Sequence, residues 1–81
     1  MRVTIRLFGR LHDLAGASVL EREIEAPATA AGVWQMLAAE TPAIAPYSGS
    51  VSVAVNADFA RMTTRLASGD EVAFLPPVSG G

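Results

Sequence analysis

The strict alternation of Arg2-Val3-Thr4-Ile5-Arg6-Leu7 constrains this chain more than any other feature of its sequence. Successive side chains of a strand point to opposite faces of a sheet, so Val3, Ile5 and Leu7 share one face while Arg2, Thr4 and Arg6 share the other. Such a strand is buried on one side only, and the sheet that holds it needs a cover for its apolar face. With 81 residues, 51% of them apolar, the chain can build one core and is too short for two. Residues 1–81 are therefore expected to form a single domain.

The remaining sequence supplies further strands and one cover. Leu11 and Leu14 stand at helical spacing between Gly9 and Gly16, which predicts a turn or short helix over residues 9–17. Residues 18–26 read as a second strand, with Glu21, Glu23 and Glu25 on one face and Leu20 and Ile24 on the other, completing a hairpin with the first. Pro27 stops it. Thr29 can then cap a helix whose Ala30, Val33, Trp34, Leu37 and Ala38 fall on one face up to about Glu40. Pro42 and Pro46 end this helix and predict a loop through Ser50, after which Val51, Val53 and Val55 alternate in a third strand. Asn56-Ala57-Asp58 reads as its turn, and Arg61 to Leu66 has no clear period. Ser68-Gly69-Asp70 is a turn signal directly before a last strand, Glu71 to Leu75. Strands flanking one central helix define an α+β domain, a mixed sheet with the helix packed on one face. The first and last strands can pair in parallel at its centre.

Most chemistry is excluded by what is missing. Without cysteine there is no disulfide, thiolate metal site or cysteine nucleophile. His12 is the only histidine, and neither a glycine-rich phosphate loop nor a paired-histidine spacing occurs, so no bound metal or cofactor and no independent active site are expected. His12-Asp13 could be a base and its orienter, but adjacent residues in a turn read better as solvated surface. The formal charge is −2, and the six basic residues, all arginine, are scattered rather than gathered in a stripe, which argues against nucleic acid as a partner. No apolar run reaches membrane length and no export signal opens the chain, so a cytoplasmic setting and no membrane partner are expected. The absence of lysine means that no side chain here could accept an isopeptide bond.

What remains is the end. After Leu75 come Pro76, Pro77, Val78, Ser79, Gly80 and Gly81, six residues with no charge and no helix former. Two prolines restrict the free chain, and two glycines allow passage through a channel too narrow for a Cβ. Ordering such a tail inside a partner costs on the order of 1–2 kcal/mol of backbone entropy per residue, a cost the prolines reduce.

Leu75-Pro76-Pro77-Val78-Ser79-Gly80-Gly81 resembles the C-terminus of the small, sulfur-carrying subunits of molybdopterin synthase, and Gly69-Asp70-Glu71-Val72-Ala73-Phe74 resembles that family's last strand. The resemblance extends to Leu7-Phe8, to Leu11-His12-Asp13-Leu14-Ala15-Gly16 and to Val53-Ala54-Val55-Asn56, with His12 standing where relatives often carry arginine. It implies a ubiquitin-like β-grasp with a flexible C-terminal tail over residues 76–81. It also implies that an E1-like adenylating enzyme, using ATP and magnesium, activates the Gly81 carboxylate, that a sulfur donor protein converts it to a thiocarboxylate, and that the tail delivers this sulfur to cyclic pyranopterin monophosphate in the large synthase subunit. The small subunit then acts as the sulfur-donating part of a sulfurtransferase. Gly81 would carry the reacting atom; Gly80, Ser79, Val78, Pro77 and Pro76 would thread it into the partner.

Phe8, Phe74 and Leu75, next to the root of the tail, are the expected docking surface. Phe74 and Leu75 point to opposite faces of their strand, so one of them can fill the core. Two further readings share this pattern: a thiamine-pathway sulfur carrier, against which the Pro-Pro-Val-Ser run speaks, and a ubiquitin-type protein modifier. A binding module with an inert tail is a third.

Overall fold

A computed structural model of the chain describes residues 1–77. Its elements run β1 (Arg2–Leu7), α1 (Gly9–Ala15), β2 (Val19–Glu23), α2 (Ala30–Glu40), a 3-10 segment (Pro42–Tyr47), β3 (Ser52–Val55), β4 (Asp58–Ala60) and β5 (Glu71–Leu75). The strands form one sheet in the order β2-β1-β5-β3-β4. β1 and β5 pair in parallel at its centre, with Thr4 opposite Glu71 and Leu7 opposite Phe74; the other pairings are antiparallel.

The helix covers one face. Val3, Ile5 and Leu7 of β1, with Val72 and Phe74 of β5 and Val53 of β3, point at Val33, Trp34 and Leu37 of α2, and all are buried. Each such side chain is stabilised by about 1.5–3 kcal/mol on leaving water. The Trp34 and Phe74 rings lie 5.2 Å apart at 56°, a tilted contact, while the Trp34 indole N–H donates to the Ser48 hydroxyl at 2.9 Å. Thr29 caps α2 by accepting from Gly32 N–H.

Several departures from the sequence reading have local causes. The second strand stops at Glu23 rather than reaching residue 26, because its partner ends at Met1, which exchanges bonds with Ile24. Residues 42–47 form a 3-10 helix instead of a loop: Pro42 sits in the first turn, where a missing N–H costs nothing, and Ile44 seals the core at zero exposure. The ambiguous stretch at 61–66 lies along the start of α2, where the Thr64 and Met62 carbonyls accept from Ala30 and Ala31 N–H. Those donors would otherwise be unsatisfied at a helix N-terminus. β4 was not anticipated. It follows a two-residue hairpin turn in which Asn56 (φ 51°) and Ala57 (φ 72°) both take left-handed backbone.

Candidate functional site: the open sheet face at the root of the tail

The face of the sheet opposite α2 has no covering element among the described residues. Its side chains follow from the registers: Arg6 lies beside Ala73, Ala73 beside Ala54, and Ala54 beside Phe59. Small residues on β5 and β3 thus make a low floor between taller neighbours. Phe8, Phe59 and Leu75 stand around it, with Ala57 at the turn, and together they enclose a shallow concavity of about 310 Å³. Phe8 is 44% exposed and Phe59 82% exposed. Exposed phenyl rings grouped with other apolar side chains make this patch a candidate contact surface. The Arg6 guanidinium meets the Glu71 carboxylate at 3.0 Å and bounds the apolar patch on its polar side.

The tail leaves from this patch. Phe8 N–H donates to the Phe74 carbonyl at 3.3 Å, so the central parallel pair persists to the end of β5 and the two chain segments exit side by side. Gly9 then takes φ +54°, and a Cβ built there would come within 3.0 Å of the Pro76 ring. Glycine is favoured on both counts, and its absent side chain lets Pro76 pack against the start of α1. Pro76 is half-buried in this way, whereas Pro77 is exposed. The direction in which the chain leaves the sheet is thereby set by packing before the tail begins.

Of the expected docking residues, Phe8 and Leu75 lie on the open face. Phe74 does not: it is fully buried against Trp34 on the helix side and is a core residue, as its alternation with Leu75 allows. Val78, Ser79, Gly80 and Gly81 lie outside the described residues. Phe59, Ala54, Ala57, Ala73, Arg6 and Glu71 were missed. Reading Asn56-Ala57 as a two-residue hairpin loop would have found Phe59, because it sets Ala54 and Phe59 opposite each other on the face that Val53 and Val55 avoid. His12 and Asp13 are exposed on α1, 3.7 Å apart, with no further group converging on them among the described residues. No group of three or more potential metal ligands occurs among these residues, and no helix is long and apolar enough to cross a membrane.

A mixed sheet with a central parallel pair of first and last strands, grasping one helix on one face, is the ubiquitin-like β-grasp; here its last strand is followed in sequence by six residues without charged side chains, the last two Gly80 and Gly81. The chain belongs to the ThiS family, which it matches over residues 5–81. It is 33% identical to the molybdopterin synthase sulfur carrier subunit of Escherichia coli strain K12 over 98% of this chain and 99% of that one. The protein of the same description from Haemophilus influenzae is 32% identical with the same coverage. Among solved structures, SAMP1 of Haloferax volcanii is similar over the whole of both chains, with a TM-score of 0.87 and 28% identity.

Proposed function

We propose that this chain is the sulfur carrier subunit of a molybdopterin synthase. The observation that supports it most directly is the likeness over 98% of the chain to two curated carriers of that description, together with a family match that reaches Gly81. In this reading the Gly81 carboxylate attacks ATP on an E1-like enzyme that supplies magnesium, pyrophosphate leaves, and the acyl-adenylate forms. A persulfide on a sulfur donor protein then displaces AMP, and a second thiol opens the resulting acyl disulfide, leaving a thiocarboxylate on Gly81 and a disulfide on the donor side. The carrier docks by its open face on the large subunit, the tail reaches the pterin, and the terminal sulfur is transferred to cyclic pyranopterin monophosphate.

The described geometry fits a carrier whose own chemistry is confined to its end. The apolar patch of Phe8, Phe59 and Leu75 offers desolvated anchoring, while the Gly9–Pro76 contact fixes where the tail starts. Positioning is what the domain contributes: a reacting atom held at the right place converts a bimolecular encounter into a local one. Acid, base and substrate-orienting groups then come from the large subunit.

Deleting Gly81 tests this. The truncated protein should keep its thermal midpoint and lose adenylation and thiocarboxylate formation, read as loss of the mass gain from one oxygen replaced by sulfur. Retained sulfur transfer would refute the assignment. The likeness to SAMP1, a small archaeal modifier protein, favours a second reading in which the same activated terminus is joined to lysines of other proteins. Recovery of a pterin-binding subunit with the native chain separates the carrier from both the modifier and a thiamine-pathway carrier; high-mass covalent conjugates in place of that complex would favour the modifier.

A further inference from the structure

The sheet has two free edges, β4 at one end and β2 at the other, and the β2 edge carries features that the open apolar patch does not use. Met1 and Ile24 exchange backbone bonds of 2.8 Å, and Leu7 N–H donates to the Ser18 carbonyl at 3.0 Å. Hydrogen-bonded and non-bonded pairs alternate along an antiparallel ladder. The Val3–Arg22 and Ile5–Leu20 pairs therefore bond inward, and the N–H and C=O groups of Val19, Glu21 and Glu23 point away from the sheet. Beyond the ladder, among the described residues, these groups meet only the Arg22 guanidinium, which donates to the Glu21 carbonyl at 2.9 Å and leaves that oxygen a second lone pair.

Two different surfaces flank this edge. On the open face Glu21 and Glu23 stand at alternate positions, while Glu25, past the end of the strand, joins the lining of the groove on the other side. Arg2 pairs with Glu23 at 3.0 Å, while Glu21 and Glu25 have no ion-pair partner among the described residues. On the helix side a groove of about 410 Å³ opens between the end of β2 and α2, with Ile24, Val33 and Met36 in its wall. We propose that the β2 edge is a second docking site, which takes an extended segment of alternating Arg or Lys and aliphatic residues as a sixth strand.

The occupant follows from the period of a strand. A chain added to this edge would bond at Val19, Glu21 and Glu23 and turn alternate side chains to opposite faces, one set over the glutamates and the other toward the groove. β1 already satisfies the inner side of β2 in this way, with Arg2 on Glu23 and Val3 and Ile5 toward the helix. A second copy of β2 is a poor occupant, since edge-to-edge pairing would set glutamate against glutamate. The charge that repels a second copy attracts a basic strand. β2 and β4 lie four inter-strand spacings apart, about 19 Å, so this site can be filled while the patch around Phe59 is engaged.

The test is a titration of the isotope-labelled intact chain with a nine-residue peptide alternating Arg and Val, followed by amide chemical shifts at low salt. Shifts should centre on Val19, Glu21 and Glu23, extend to Ile24 and Met36, and spare Phe59. A Glu21→Arg/Glu25→Arg variant, which keeps the Arg2–Glu23 pair, should bind at least tenfold more weakly. Val19→Pro, which removes one outward N–H at the first position of an edge strand where proline is tolerated, should bind several-fold more weakly. Unchanged β2 shifts, equal binding of a peptide with Glu in place of Arg, or shifts at residues 58–60 instead would overturn the proposal. Deleting Gly81 should leave this binding unchanged, so the outcome is independent of the sulfur-carrier reading.

Discussion

The two faces of this sheet are built from the same strands and obey different rules. Along β5, Val72 and Phe74 are fully buried, while Glu71, Ala73 and Leu75 between them are half-exposed. The helix face is complete in itself: large apolar residues interlock with Trp34 and Leu37, and no buried side-chain polar atom among the described residues lacks a partner. On the open face the apolar residues surround a floor of alanines and meet no cover. One face stores the stability of the domain; the other leaves apolar surface exposed, which the proposed docking would cover.

Substitutions that fall on one face and spare the other put this division to the test. The largest loss belongs to Phe74→Ala, which empties the contact with Trp34 and should cost about 3–5 kcal/mol in urea unfolding. A loss below about 1 kcal/mol would mean that the helix face is not the seat of stability. A smaller effect is expected at the junction of β3 and β5, where Asp70 accepts from the Ala67 N–H and from the Asn56 side-chain amide, and Asn56 in turn accepts from Glu71 N–H. The backbone bond from Ala67, then the bond from Asn56, hold the Asp70 carboxyl below its usual range. A carboxyl depressed in the folded state adds stability above its unfolded pKa and loses it as pH falls through the folded one. Asp70→Asn should therefore cost up to about 1 kcal/mol at neutral pH, solvent exposure limiting the effect, and the two proteins should converge in strong acid.

The smallest change in stability, within about 0.5 kcal/mol, is expected for Phe59→Glu, because that ring is already in water. Capture of the large subunit should nevertheless fail. A variant that unfolds, or one that docks normally, would erase the distinction between the faces at this position.

The helix face was the legible one. Alternation in residues 2–7 and the stripe from Ala30 to Ala38 each encode burial in a period, the turn at Ser68-Gly69-Asp70 is marked by its residue types, and the structure follows all three. β4 was hidden because three residues cannot display a period, and its central Phe59 reads as core until the register turns it outward. Phe74 and Leu75 were identified as a pair facing opposite ways, but which faces inward depends on pairing with Leu7 and Val53, a tertiary fact. The 3-10 turn at residues 42–47 escaped because its two prolines read as breakers, whereas Pro42 takes the first turn and the short segment also holds Pro46 within it.

The central position of β5 has a kinetic meaning. The β1–α1–β2 unit and the β3–β4 hairpin can each close through neighbours in sequence, yet within the sheet they are joined only through β5, whose Glu71 must find Thr4 across nearly the whole chain. Long loop closure makes this the slow contact. Without residues 71–75 the remaining strands form two pairs and no common sheet. Ala73 and Leu75 also help to build the open face. The strand that joins the two halves of the sheet is thus the same one from which the tail departs.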